Sequence, residues 1–539
     1  MNGSRKSRDE PAARVVLGAF LLVTVLFVNL FPPRKDGAFS QSPNEFSRFD
    51  LVVSMAERGT FAIDRELAEF GTHEDRSDVN GHSYSNKAPG LSFAALPFYF
   101  VFRIFLGPAS RSNMQTMLYL LRVSTVSVSV WLALVLLARR ARKISPDGAS
   151  SALVVFAAAF GTPILVYARS FFSHAWSAAL LYIAFELLET EEGRRWNAAL
   201  AGLLAGWAVI SEFPVLLLAA ALFGAAAWRN GKRGAAFAAG GAPPAILLGI
   251  YNGSCFGRPW RLSYGYEWYR SHTELSHRFF GFLAPDAGIA FRYLFSESRG
   301  LLFASPILLL LPLALLRPRG RTRAAALCLG ASALYFVVMT GYENWHGGWA
   351  LGSRYLVPMI LLMVWPLAAL GPTRRNGAPG AGLWLAGIAA AYSAAFFFFS
   401  GSTFWFLPSE PEAGIRFYSA FWLSRGWITP SLAGSGPLAL GLAAIATSAA
   451  AAAALWPIFR DAGRVVLSVL AGGLLFSLLF AGKPPDGTFQ ERVLRAWVLE
   501  SFTPLDPGRL ELRRLAAQAR TPEDVRALRR AFAASPNAP

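Results

Sequence analysis

The chain has 539 residues, 54% of them hydrophobic and only 16% charged, with a formal net charge of +18. A soluble domain carries about 25% charged residues, so this composition excludes an ordinary soluble globular enzyme. A nucleic-acid binder is basic but polar on its binding face. What remains is an all-α polytopic membrane protein whose basic excess needs its own explanation.

The elements follow in chain order. Arg5, Lys6, Arg8 and Arg14 precede the apolar run Val15–Phe31. That run exceeds a signal-peptide core and lacks a small-residue cleavage site, so it reads as a retained signal-anchor helix. A long loop from Pro32 to about Met114 comes next. Its apolar stretch Leu91–Leu106 reads as a horizontal or re-entrant helix, because a crossing there would reverse the sidedness of every later basic cluster. Further cores with the length of spanning helices (about 17–25 residues, several shorter) lie at Met117–Ala138, Ala149–Tyr167, His174–Leu188, Ala198–Ile210, Phe213–Trp228 and Ala235–Tyr251. The series continues at Leu301–Leu316, Ala324–Thr340, Tyr355–Leu370, Ala381–Ser400, Leu438–Phe459 and Val465–Phe480. About 13 spans are expected, within 11–14, in one transmembrane domain over residues 1–482. A polar tail, 483–539, contains a helix start at Thr521-Pro522, with Thr as N-cap and Pro in the first turn.

Basic clusters follow alternate spans: Arg139, Arg140, Arg142 and Lys143; Arg194 and Arg195; Arg229, Lys232 and Arg233; Arg317, Arg319, Arg321 and Arg323; Arg374 and Arg375; Arg460 and Arg464. All fall on the side of the N-terminus, which positive-inside logic makes cytoplasmic. With the N-terminal cluster they hold more basic residues than the whole net charge, so the excess is a topology signal. The expected location is the cell inner membrane. The other side carries the long loops 32–114, 252–300, 341–354 and 401–436, and all six histidines lie in or beside it. Cys255, read as a loop residue, and Cys328, in an apolar run, are not expected to pair.

The first of these loops holds the densest chemistry. Asn44, Glu45, Arg48 and Asp50 come soon after the first helix, and Asp75, Tyr84 and Lys87 later in the loop. A carboxylate there can take a proton from an acceptor hydroxyl, and a cation can neutralise a departing phosphate. The spacing N-E-x-x-R-F, R-G-T-F and Y-S-N-K-A-P resembles the first-loop signature of the GT-C membrane glycosyltransferases, nearest to the protein O-mannosyltransferase and lipid A aminoarabinose-transferase group. Glu45 falls on the Glu of that family's D-E-x-R-Y, Gly59 on its glycine, and Tyr84, Lys87 and Pro89 on its Y-x-x-K-P-P. The resemblance implies one membrane domain, an extracytoplasmic site, inverting chemistry and a polyprenyl-phosphate sugar donor. The acceptor would be a lipid, a polysaccharide or a protein, and no nucleic acid is involved. The family's leading acid is Asn44 here and its first proline is Ala88, so Glu45 or Asp75 must serve as base.

A later string, Asn344-Trp345-His346-Gly347-Gly348 and then Gly352-Ser353-Arg354-Tyr355, resembles one that bacterial members carry before a late helix. Arg354 can grip a phosphate as a planar fork. Trp345, Tyr355, Arg169 and His174 join Asn44, Arg48, Tyr84 and Lys87 as expected substrate contacts. Glu212, between two short apolar cores, is a further acid at membrane depth. Blander readings compete. Ser42-Pro43-Asn44-Glu45 fits a capping box, Lys87 before Ala88-Pro89-Gly90 a turn, and Arg354 an interfacial anchor. No metal site is assigned, although Mg²⁺ or Mn²⁺ at the Thr72–Asp78 run is conceivable. The alternatives to a transferase are a flippase of lipid-linked precursors and a non-catalytic envelope-assembly protein.

Overall fold

The computed structural model describes residues 10–26, 42–145, 149–190, 193–266, 281–320, 322–348, 350–370, 381–402, 437–459 and 462–480, and within the tail 489, 492–493, 496–497, 500 and 507–533. Each predicted apolar core is mostly helical where it is described, with breaks inside Ala149–Tyr167 and Leu301–Leu316. Among the described residues, Met114–Ile144 and Gly231–Phe256 are long and apolar enough to cross a membrane, and further apolar helices include Ala381–Ser402 (22 residues), Pro437–Phe459 (23) and Ala462–Phe480 (19). Breakers in the sequence interrupt two of the apolar runs. Gly161-Thr162-Pro163 separates Ala149–Phe160 from Ile164–Tyr167, and Ser305-Pro306 splits the run after Leu301 into an α turn, a 3₁₀ turn and a second α turn.

One apolar core threads the helices, from Phe20 through Val130, Phe156, Tyr182 and Ile360 to Trp365 and Phe397. Helix Arg195–Ser211 lies against both Gly231–Phe256 and Ser173–Leu188. Its approach to the first of these depends on Gly202, where a Cβ would strike the Phe237 backbone, and on Gly240, where it would strike Ala199. Small residues at such a seam bring the backbones close enough for dispersion to act along the whole helix pair. A second cluster, around Leu51, Ile63, Phe93, Tyr251 and Phe256, joins the first loop to the bundle. In the tail, Pro522–Ala533 starts as expected: Thr521 Oγ1 accepts from Asp524 N (3.1 Å), and Asp524 Oδ2 accepts from Thr521 N (2.9 Å).

Three expectations need correction. The helix beginning at Gly231 runs on to Phe256, so Cys255 is helical; it and Cys328 are free and buried. The chain is not purely helical, because Arg76–Val79 and His82–Ser85 pair as an antiparallel hairpin. Its turn is Asn80-Gly81, both at positive φ (51° and 83°), the two-residue geometry that matches strand twist. Third, Ser42 makes no side-chain cap, and the Glu45 carboxylate does not return to it. The predicted loop helix is present as Gly90–Leu106, with Phe98, Phe100, Val101, Ile104 and Phe105 exposed along it.

Candidate functional site

The helix Pro43–Arg58 opens with Pro43 in its first turn and closes on Gly59, whose φ of 64° is the usual left-handed helix end. Most of its length is buried although it carries Asn44, Glu45, Ser47, Arg48, Asp50 and Ser54. Buried polar groups require partners, and most of these side chains find theirs outside the helix, whereas Asn44 pairs with Arg48 one turn on. Ser47 shares a hydroxyl contact with Ser85 (2.7 Å), and Ser54 Oγ donates to the Thr60 carbonyl (2.8 Å). Asp50 Oδ2 meets His73 Nε2 at 3.0 Å. Burial pushes the Asp50 carboxyl up to about 6, against the opposing pull of His73.

Glu45 has no exposed side-chain surface. Its two oxygens accept from Arg122 Nε (3.0 Å) and Nη2 (2.9 Å), and one also accepts from the Phe171 amide. Arg122 is equally buried. This bidentate pair sews the loop helix to the helix Met114–Ile144, and both carboxylate oxygens are occupied. The sequence expectation named the acid but not this partner.

Asp75 and Lys87 meet at 3.0 Å across the hairpin. Burial raises the Asp75 carboxyl, but Lys87, then His73 and Arg354, outweigh it and hold the group below the ordinary carboxylate value. In the Thr72–Asp78 run, His73 turns to Asp50, Asp75 to Lys87 and Arg76 to Asp78. No group of three acid, His or Cys ligands gathers among the described residues.

Arg48 donates through Nη1 to the Asn44 side chain and carbonyl (3.0 Å to the carbonyl) and through Nη2 to Ser173 Oγ (2.9 Å). Ser173 in turn donates to Glu212 Oε2 (2.6 Å), which lies 3.1 Å from His174 Nδ1. Asn44, Arg48, His174 and Glu212 therefore form one connected group. Arg354 contacts Tyr355 Oη at 3.2 Å, and its guanidinium lies 5.0 Å from the Tyr355 ring centroid and 5.8 Å from that of Phe172. Its Nε has no hydrogen-bond partner, and no carboxylate lies within ion-pair distance among the described residues. Gly347, at φ 72°, lets this side chain pass, since a Cβ there would come within 2.8 Å of Arg354 Nε.

The other expected residues divide. Tyr355 is central, 5.6 Å from the His174 ring. Arg169 is buried and its Nε donates to the Leu165 carbonyl (3.1 Å). Tyr84 packs edge-on to Phe256 (5.9 Å) in the second apolar cluster, away from the charged group. Trp345 packs on Tyr293 (5.6 Å) and its carbonyl accepts from the Tyr293 hydroxyl (2.7 Å). In the loop 252–300, Tyr264 packs on Phe213 (5.8 Å). Sequence reasoning missed Arg299, whose buried guanidinium donates to the carbonyls of Gly348 (3.0 Å), Ala350 and Gly352 and so shapes the loop that presents Arg354. The Gly-rich spacing 347–352 was the available hint, since carbonyls facing one point need a cation.

No family model and no curated protein matches the chain. Solved structures do. ArnT from Cupriavidus metallidurans bound to undecaprenyl phosphate aligns with a TM-score of 0.50 at 15% identity, over 92% of this chain and 80% of that one. The apo form of the same protein gives 0.48 at 14% identity over the same shares. Arabinosyltransferase EmbB from Mycobacterium smegmatis gives 0.42 at 14% identity, over 89% of this chain and 42% of EmbB. The fold of this chain is that of the undecaprenyl-phosphate-bound ArnT structure, a GT-C fold.

Proposed function

We propose that the protein is a membrane glycosyltransferase that moves a sugar from a polyprenyl-phosphate donor to an envelope acceptor on the extracytoplasmic face. The observation that carries this reading is Arg354: a guanidinium held by a hydroxyl and two aromatic rings, with no carboxylate beside it among the described residues. A half-buried cation without a counter-charge is an anion site in waiting, and a guanidinium suits a phosphate. Lys87, poised on Asp75, supplies a second positive charge to the same electrostatic group. The shared fold with a protein whose structure holds undecaprenyl phosphate supports a lipid-phosphate ligand of this kind.

In this reading Arg354 and Lys87 stabilise the phosphate as the bond to the sugar breaks. Preorganised charge is the largest contribution an enzyme makes to such a step. The exposed apolar side of Gly90–Leu106 would lie in the lipid surface, and the apolar helices would span an inner membrane with the basic clusters inside. Inversion at the anomeric carbon follows from a single displacement.

Labelled sugar transfer from a polyprenyl-phosphate donor, measured with Lys87→Ala, Asp75→Asn and Arg354→Gln, tests the assignment. Loss of transfer in Arg354→Gln and Lys87→Ala is expected, and full activity in all three sinks it. The helix break at Glu212-Phe213-Pro214, with an acid at the break, is the feature that most favours a transporter. Translocation of a lipid-linked sugar in liposomes without any transfer would establish that reading instead.

A further inference from the structure

We propose that His174, oriented by Glu212, is the group that takes the proton from the acceptor hydroxyl. The proposal rests on the transferase reading above and names its base. The two acids expected for that task are committed elsewhere, Glu45 to Arg122 and Asp75 to Lys87. His174 and Glu212 form a different kind of pair. Glu212 ends the helix Arg195–Ser211 in an extended conformation (φ −155°, ψ 95°), so its side chain leaves the helix where the helix stops. His174 stands in the first turn of Ser173–Leu188, with Nδ1 3.1 Å from Glu212 Oε2. The angle falls short of a full hydrogen bond, which a ring rotation would complete.

Ser173 donates to the same carboxylate oxygen (2.6 Å), and Arg48 donates to Ser173 (2.9 Å), so the hydroxyl that holds the carboxylate is itself held by the loop helix. A carboxylate beside Nδ1 keeps the proton on that nitrogen and leaves the lone pair on Nε2. Among the described residues Nε2 has no hydrogen-bond partner. The ring lies parallel to Phe172 (6.0 Å, 20°) and edge-on to Tyr355 (5.6 Å, 90°). Those are the two rings on which the Arg354 guanidinium rests. The free imidazole nitrogen and the uncompensated guanidinium are thus mounted on one aromatic frame. The charged and titratable groups that face His174 are Glu212 at the helix break, Arg48 from the loop helix, Arg354 and Tyr355 from the late loop, and Tyr167.

The step balances. The acceptor oxygen forms the new bond to the anomeric carbon as its proton passes to Nε2. The bond from that carbon to the phosphate oxygen breaks, and its electron pair leaves on the lipid phosphate beside Arg354. The imidazolium is neutralised by Glu212 until the proton passes to water.

The test combines sugar transfer from a polyprenyl-phosphate donor with separate measurement of polyprenyl-phosphate binding. His174→Gln should lower kcat by about 10²–10⁴ while lipid-phosphate binding stays at the wild-type level. Glu212→Gln should behave alike, because an amide there favours the wrong tautomer. Added imidazole should restore part of the transfer by His174→Ala and none of that by Glu212→Gln. Wild-type kcat in His174→Gln overturns the proposal and leaves the transferase reading standing. So does loss of lipid-phosphate binding in step with activity, which would mark a purely structural pair. A wild-type protein that binds the lipid phosphate but transfers no sugar overturns the reading and this proposal together.

Discussion

Two arginines, Arg122 and Arg354, show how the same side chain serves opposite ends in this molecule. Arg122 has no exposed surface and meets Glu45 through two hydrogen bonds of 3.0 and 2.9 Å. Arg354 is half-buried and is met by a tyrosine hydroxyl and two ring faces. A buried charge without a partner is costly. Arg122 has its partner in the chain and therefore fastens two elements. Arg354 lacks one, and ring faces alone return only about 0.5–2 kcal/mol of cation–π attraction. Among the described residues, the difference separates a cation with a carboxylate partner from one without, and the second is the cation that the proposed function gives to the lipid phosphate.

Variants can break or sharpen that contrast. The largest effect is expected from Glu45→Gln, which strands Arg122 without a counter-charge. Breaking such a buried pair costs roughly 3–5 kcal/mol, read as a fall in thermal stability in detergent whether or not lipid phosphate is present. Asp50→Asn is the next test. With its carboxyl pushed up to about 6, Asp50 holds its proton in the folded chain at pH values where the unfolded chain has lost it. Stability from this group is therefore present at low pH and lost as pH rises from about 4 to about 6, by up to ~3 kcal/mol. Asp50→Asn cannot ionise, so its stability relative to wild type should improve across that window, as followed by unfolding at stepped pH.

Arg354→Gln should leave unfolding close to wild type yet weaken undecaprenyl-phosphate binding by on the order of 100-fold, about 2.7 kcal/mol. Equal loss of stability in Arg354→Gln and Glu45→Gln would erase the contrast between the two arginines. The smallest effect is expected from Gly347→Ala. Positive φ and the approach of Arg354 Nε both oppose a side chain there, at about 1–3 kcal/mol. The same binding assay should show a milder loss than Arg354→Gln.

Much of this was legible in the chain. The apolar cores predicted the helices because a helix that buries most of its surface must be apolar nearly all round. The tail helix start at Thr521-Pro522 was legible because a cap is a local arrangement of a few residues. Of the site, Lys87, Asp75, Arg354, Tyr355 and His174 were singled out by residue type and spacing. Other features were hidden for a common reason. Arg122 lies 77 residues from Glu45, and Ser173 lies 125 residues from Arg48. Nothing in local pattern selects such pairs. The alternative capping box at Ser42 failed because the Arg122 guanidinium offers the Glu45 carboxylate two charge-assisted hydrogen bonds, against one from a neutral backbone amide.

The sequence by itself determined the helical class, the positions of the apolar helices, the distribution of basic charge and the shortlist of chemically able residues. Tertiary structure alone decided which charges are already answered. Glu45 and Asp75 read alike in the chain, as do Arg122 and Arg354, because a residue's ionisable group is encoded locally. Whether that group is neutralised depends on Coulomb and hydrogen-bond partners brought within 3–4 Å by packing. That distance, unlike helix periodicity, has no signature along the chain.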